Sequence, residues 1–507
     1  MFRELLYSLA GLVLLAYAAE WALSLFDDPR EPQRLQPTVP LFGHLLGMIQ
    51  HGSGYYSIAS KKTDAEIYTL NIFNTKLYVA KTRRLTPLIQ KASKTLSFRP
   101  FMQTASKLMG DATKETYDIF GTEMVDDFSH AMRTSLAPGP HLDEQNLRMG
   151  NRVLEDINTV LSPGECQKSK IHLLDWVRHA VVQASSCGVY GEEHPFRDPK
   201  VEAAFWKWQA YLPLHMVNLD LMRKGYAARD VVFRALQDYC NAVPTDASKV
   251  FVERNRTMRE AGICEDDIRK QEATFGTAAF ANTVPTLYWT IHELFSRPEV
   301  LEEVRAEVAE QAVSGSKESG FRLDVAALKT RCPLLLSVYQ ETQRTRHVHA
   351  NIRKVVTDML LDRQYLLKAG NYVQMPGQPI HADPSTWGES ADTFDPYRFM
   401  RKGGSDRRSV APSSFVAWGA APHLCPARQF ASTEVLMVVA LLAMRSDLVP
   451  VGTGLWEMKP VVKTSDMVSI QLPKRDVEVE AAEREEWSGR WSLDMGESTT
   501  RISLASG

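Results

Sequence analysis

The sequence predicts a mainly α-helical protein with a small β region, preceded by an N-terminal transmembrane helix. Three features predict it. An apolar run from Leu5 to Phe26 opens the chain. Residues 84–310 follow a mostly helical period, and strand-like alternation is concentrated between Gly54 and Ala80.

A chain of 507 residues suits one large domain or two ordinary ones. Hydrophobic residues at 44% and charged residues at 24% match a globular enzyme with a sizeable core. A formal net charge of −2 argues against a nucleic-acid binder, which would carry a basic excess. The cysteines at 166, 187, 240, 264, 332 and 425 show no C-x-x-C pair and no zinc-like spacing. They read as free thiols of a reduced compartment, which leaves Cys425 uncommitted to a disulfide.

Residues 1–28 read as a membrane anchor. The apolar run is about 22 residues, roughly 33 Å as a helix, enough to span a bilayer. Glu20 is costly at depth but lies near the far end, within reach of the interface. A signal peptide is the rival reading, but Trp21 and Phe26 make an interfacial end rather than a small-residue cleavage site. The flanking charges are mixed and do not set an orientation. Residues 29–43 carry Pro29, Pro32, Pro37, Pro40 and Gly43, and read as a stiff, extended hinge. The catalytic domain is expected over 44–480, and a polar tail, surface-bound or disordered, over 481–507.

Within the domain, Ile67–Ile72 and Lys76–Ala80 read as paired strands with a turn at Asn74 and Thr75. Ala203–Pro213 is an aromatic, partly amphipathic stretch, read first as the edge of a core helix. Asp266–Phe295 reads as one helix of about 30 residues, kinked by the internal Pro285. Small and polar residues, Phe280-Ala281-Asn282-Thr283-Val284, precede that proline. Such a weak point lies beside a ligand about as often as it is a plain structural kink. Leu334–Arg346 makes the next clear helix, on which Glu341 and Arg344 share a face and can pair. Asn351-Ile352-Arg353 follows, then a turn-rich, strand-poor stretch with Pro396-Tyr397-Arg398-Phe399.

The most informative stretch is Phe415 to Ala431. A Gly-, Ala- and Pro-rich segment delivers Cys425, and the apolar run Val435–Leu442 follows. Pro426 fits the first position of a helix, which would put Cys425 at a helix N-terminus where orphan amides favour a thiolate. Such a thiolate suits a soft metal or a haem iron, although a lone buried cysteine is more often a small core hydrophobe. Trp418 and Phe430 bracket it with flat apolar surface, and His423 and Arg428 offer donors for carboxylates.

This ordered set resembles the cytochrome P450 family over essentially the whole chain: anchor, proline hinge, long kinked helix, Glu-x-x-Arg, Pro-x-Arg-Phe and cysteine loop. The loop departs from the family pattern in places. Trp418 stands where Phe is usual, and Ala421 and Ala427 occupy the two usual glycine positions. The resemblance implies the mainly α cytochrome P450 fold around haem b, with Cys425 as the axial thiolate. It implies a buried network of Glu341, Arg344 and Arg398. It also implies haem propionate donors at Arg353 and His423, joined by Arg133 or His130, although the usual Trp is missing from that helix. In this fold the 203–213 stretch would lie near a lid and dip toward membrane.

The long helix departs further. Where most members carry an acid followed by an alcohol, Ala281-Asn282 with the later Pro285 looks like the version in sterol 7α- and 12α-hydroxylases and prostacyclin synthases. Asn-Ile-Arg at 351–353 and Cys425-Pro426 look like that subgroup too. A shifted register would put Asn282 at the acid position and Thr283 at the alcohol, and both residues are candidate catalytic groups.

The leading functional expectation is a single-pass endoplasmic reticulum enzyme with a cytosolic catalytic domain. It would hydroxylate a large apolar substrate such as a sterol, terpenoid or polyketide, with electrons from an NADPH-cytochrome P450 reductase. The alternatives are a haem-thiolate isomerase that needs neither O2 nor reductase, and a non-catalytic lipid or haem carrier.

Overall fold

The computed structural model describes residues 2–161, 169–216, 218–400, 410–464, 468–497 and 499–506. Cys166 lies outside them. The core is a stack of helices. Arg428–Arg445, almost wholly buried, packs against Thr283–Phe295, Pro333–Arg346 and Pro140–Leu161. Its run Val435–Met444 is apolar on every face, as a helix enclosed on all sides must be.

One polar residue interrupts that helix at depth. Glu434 is buried and accepts hydrogen bonds from Ser185 Oγ at 2.9 and 3.0 Å. Burial pushes its carboxyl up to about 8, and the Ser185 bond opposes the shift only in part. Below the unfolded-chain value near 4.5, both states hold the proton and nothing is lost. As pH rises from there to about 8, only the unfolded chain ionises, so the folded state loses stability across that window. Glu434→Gln is therefore expected to leave the thermal midpoint unchanged near pH 5 and to raise it near pH 8. An equal shift at both pH values would refute a neutral Glu434.

The five-stranded sheet beside the helices begins with the predicted hairpin. Ile67–Ile72 pairs antiparallel with Thr75–Ala80, and Ile72 faces Thr75. The turn is thus Phe73-Asn74, one residue earlier than expected, with Phe73 at φ 53°. Tyr372–Pro376 adds parallel to the second strand, then Ala350–Val355 antiparallel, then Leu96–Ser97 at the edge. The strand at 372–376 falls in the stretch that sequence reading expected to be strand-poor, because Gln374 interrupts its short apolar run.

The expected single helix over 266–295 is two helices, Glu265–Phe280 and Thr283–Phe295, broken at Ala281-Asn282. Pro285 explains the position. It has no N–H to offer the carbonyl four residues back, that of Ala281, and its ring crowds the same carbonyl. The break therefore falls a turn ahead of the proline.

At the N-terminus a helix forms over Phe2–Ser24, and Leu12, Leu14, Leu15 and Trp21 are exposed along it. No helix among the described residues is long and apolar enough to cross a membrane. Glu20 does not reach outward as expected. It is buried, pairs with Arg34 at 3.1 Å and accepts the Leu41 N–H at 2.9 Å. The proline segment is extended but not free-standing. Leu35 N–H donates to the Thr69 carbonyl and Thr69 N–H to the Gln33 carbonyl, both at 2.9 Å, so the segment lies along the first strand. Buried Glu31 accepts from Lys76 Nζ and Tyr78 Oη at 2.7 and 2.8 Å.

The 481–507 tail is corrected as well. Glu478–Glu483 pairs with Ser446–Pro450, Trp491–Asp494 lies parallel to Gly320–Asp324, and Ile502 and Leu504 are buried. Trp487, Trp491, Ile502 and Leu504, spaced among Glu, Ser and Gly, supply the apolar anchors that a composition average hides.

Candidate active site

Phe415–Leu424 reaches the site as a short hairpin in which Gly419–Ala420 pairs with His423–Leu424. Gly419 has φ 93°, and a Cβ there would meet the His423 carbonyl at 2.9 Å, so only glycine closes this turn comfortably. Cys425 N–H donates to the Trp418 carbonyl at 2.8 Å, which ties the cysteine to the far end of the hairpin. The helix expected to begin at Pro426 begins at Arg428, so Cys425 stands one turn ahead of it. Pro426 and Ala427 form an intervening turn. Burial raises the Cys425 thiol pKa, while the Ala427 N–H and the Arg428 charge pull it the other way. Burial pushes Cys187, Cys240 and Cys332 up to about 12. All five described cysteines are free thiols.

Cationic side chains gather beside this loop. Arg353 on strand Ala350–Val355 is buried and donates to the Ala420 carbonyl at 2.8 Å and to that of Ile352 at 2.7 Å. Its guanidinium lies 5.5 Å from the Phe98 ring, and burial lowers its pKa to about 10. The His423 ring lies 5.3 Å from the same Phe98. Burial lowers the His423 pKa to about 4, and Arg353, Arg133 and Arg99 push it down further against the single opposing carboxylate of Asp126. His423 is thus a neutral donor at pH 7 in a field of three arginines. Arg99 was missed by sequence reasoning. It starts its own helix, Arg99–Leu108, far from every motif. His130 is exposed and contributes nothing here.

The network of Glu341, Arg344 and Arg398 is assembled as implied. Arg344 donates to both carboxylate oxygens of Glu341 at 2.7 Å, and Arg398 Nε to one of them at 3.0 Å. Arg344 also holds the carbonyls of His381 and Ala391 at 2.6 Å and Thr393 at 3.0 Å. The carboxylate and guanidinium are essentially inaccessible, and every strong donor finds an oxygen, as burial demands. His381 links this network to the cysteine loop. Its Nε2 accepts the Val416 N–H at 2.9 Å, a role open to it because burial and Arg344 keep the ring neutral.

At the break between the helices Glu265–Phe280 and Thr283–Phe295, Ala278 and Asn282 are exposed four residues apart. Asn282 Oδ1 accepts the Ser469 N–H at 3.0 Å, and the Ser469 carbonyl accepts the Val348 N–H at 2.8 Å. The amide oxygen is therefore fixed and Nδ2 is left to donate. Thr283 is buried, and its hydroxyl is spent on the Ala279 carbonyl at 2.9 Å. His349, beside Val348, is exposed by area, yet burial still lowers its pKa. Sequence reasoning missed both His349 and Ser469, since neither falls in a motif. A separate polar cleft of about 530 Å³, lined by Arg152, Glu155, His179, His194, Arg197 and Glu202 among others, contains none of these site residues.

The donor set fits a haem. The Cys425 thiol is free, the cations Arg353, Arg133 and Arg99 with the His423 donor suit two propionates, and the buried Trp418 Nε1 has no hydrogen-bond partner among the described residues. The cytochrome P450 family profile matches residues 33–448. The chain belongs to the cytochrome P450 family. It is 33% identical to the cytochrome P450 monooxygenase nodJ of Hypoxylon pulicicidum, over 97% of this chain and 98% of that one. A cytochrome P450 monooxygenase of Gibberella zeae is 27% identical over 93% of each chain. The 5-beta-cholestane-3-alpha,7-alpha-diol 12-alpha-hydroxylase of Sus scrofa is 30% identical over 38% of this chain and 41% of its own. This cytochrome P450 is a haem-dependent oxidoreductase of the monooxygenase type.

Proposed function

We propose that this cytochrome P450 hydroxylates a large apolar substrate of the sterol, terpenoid or polyketide class. Residues 1–28 hold it at the endoplasmic reticulum membrane, with the catalytic domain in the cytosol and electrons supplied by an NADPH-dependent reductase. The haem supplies oxygen activation, with a thiolate ligand that favours O–O cleavage. Arg353, Arg133 and His423 would bind its carboxylates, Trp418 stands in the loop that presents Cys425, and Cys425 would be the ligand. The anchor assignment is checked by deleting residues 1–28, which is expected to shift the protein to the soluble fraction with haem per protein unchanged. Loss of haem would make the segment part of the core.

The observation that carries the catalytic assignment is the pinned amide of Asn282. A hydroxylase must deliver protons to the reacting oxygen, and an amide cannot titrate. With Oδ1 held by Ser469, the Asn282 NH2 can hold a water or donate to the oxygen directly. Thr283, bonded to its own helix, is not presented for that task. Asn282→Ala is expected to uncouple the enzyme, so that NADPH is still consumed but more of it appears as hydrogen peroxide and less as product. Unchanged coupling in Asn282→Ala with a clear loss in Thr283→Ala would move the role to Thr283. Turnover of a lipid peroxide without NADPH would instead make the protein an isomerase. Spectral shifts against a panel of sterols, terpenoids and lipid peroxides identify the substrate class.

A further inference from the structure

The last residues of the chain lie past the family match at 33–448 and follow an unexpected path. After the strand Trp491–Asp494, residues 499–506 cross to the two helices that frame the cysteine loop. Gln429, in the first turn of the helix after Cys425, makes a two-way clip. Its Nε2 donates to the Ile502 carbonyl at 3.1 Å, and its Oε1 accepts the Ile502 N–H at 2.9 Å. Gln340, which immediately precedes Glu341, accepts the Ala505 N–H at 2.6 Å. Ile502, Leu504 and Ser506 are buried. Ala505 packs on the cluster of Trp387, Ala391 and Phe415, which Trp418 also joins.

One short segment therefore joins the turn that follows Cys425 to the helix that carries Glu341 and Arg344. The loop needs such a tie. Its hairpin has only two residues in each strand, and a hairpin that small does not hold its geometry alone. Within the loop the Cys425 N–H bonds to Trp418, the Gly419 N–H to Val416, and Arg428 to the Cys425 carbonyl at 3.3 Å. From outside, Arg353 holds the Ala420 carbonyl and His381 the Val416 N–H, and of these bonds only that of Arg428 spans the turn at Pro426-Ala427. The Gln429 amide donates to the carbonyl and accepts the N–H of one residue, so it pairs with the Ile502 backbone as a strand partner would.

We infer that residues 499–506 are a clasp that positions the Cys425 ligand, holding the first turn of its helix against the Glu341 helix through Gln429 and Gln340. This rests on Cys425 being the haem ligand. The clasp residues are positioning residues and act through the loop.

The test uses the full-length holoenzyme carrying Gln340→Ala with Gln429→Ala. Three readouts are followed: the ferrous–CO band, the rate of haem transfer to excess apomyoglobin, and the thermal midpoint. A clasp predicts faster haem loss by about tenfold or more, since the two substitutions remove three hydrogen bonds. It also predicts partial replacement of the red-shifted thiolate band by its thiol counterpart. Gln340→Ala with native Gln429 keeps the Ile502 clip and is expected to lose haem at a rate between those of the native protein and the double variant. A fall in thermal midpoint with both haem signatures unchanged would make the segment ordinary packing and overturn the inference. If the double variant does not fold, Gln429→Ala alone is judged by the same criteria. Failure of the underlying site reading is separable, since then Cys425→Ser would itself retain the thiolate band.

Discussion

Cys425→Ser is expected to abolish the red-shifted ferrous–CO band of thiolate ligation and to reduce turnover to background. Serine at each of the other five positions should leave the band in place. The contrast follows from the surroundings. At Cys187, Cys240 and Cys332 burial is joined by a nearby carboxylate, that of Glu192, Glu272 or Glu307, and outweighs the arginines around them, so their thiols are driven to about 12. At Cys425 the Ala427 N–H and Arg428 oppose burial, so a thiolate there has a donor and a cation beside it before any metal contributes. A serine hydroxyl is nearly isosteric but does not ionise in the accessible range. The fold should survive while ligation fails, which circular dichroism and the carbon monoxide difference spectrum measure together. Retention of the thiolate band would remove Cys425 from the site.

Arg344→Ala should be the most damaging substitution outside that loop. Glu341 would keep Arg398 Nε and the Asp395 N–H, both at 3.0 Å, but would lose two charged bonds in a place water does not reach. The carbonyls of His381, Ala391 and Thr393 would lose their donor in the same step. Removing one partner of a buried pair costs about 3–5 kcal/mol, a large part of a domain's net stability. The expected outcome is aggregation or a chain that retains no haem, read from the haem-to-protein ratio. Arg398→Ala should be milder, because Arg344 would still bind both oxygens of Glu341. Equal damage from the two would mean that the network matters as a whole rather than through Arg344.

The parts of the site that the sequence made legible are those in which chemistry and spacing coincide. Glu341 and Arg344 are three residues apart on one helix, and Cys425 sits in a stretch whose Gly, Ala and Pro content marks a loop against an apolar run. His423 was legible as a carboxylate donor beside Cys425, Arg353 only through the family resemblance, and the structure joins them through Phe98. Arg99 was not legible, because its relation to His423 depends on a fold-back over more than 300 positions and leaves no local pattern. Ser469 was missed for the same reason, since its bond to Asn282 spans 187 positions. The break before Pro285 was legible as a kink but not in its place, since a proline acts on the carbonyl four residues behind it. The tail was misread because average polarity was allowed to outweigh four or five well-placed apolar residues.

The stretch between the N-terminal helix and the first strand looks in sequence like a swivel. In the folded chain it is bolted down. Arg34 holds Glu20 and Asp27 at 3.1 and 2.8 Å, and Lys76 on the second strand holds Asp27 and Glu31 at 2.7 Å. A joint fastened on both sides transmits torque instead of absorbing it. Twisting or pulling the N-terminal helix therefore loads strand Ile67–Ile72 in shear, and the pitch at which that helix leaves the globule is set by ion pairs rather than by thermal wandering of a tether.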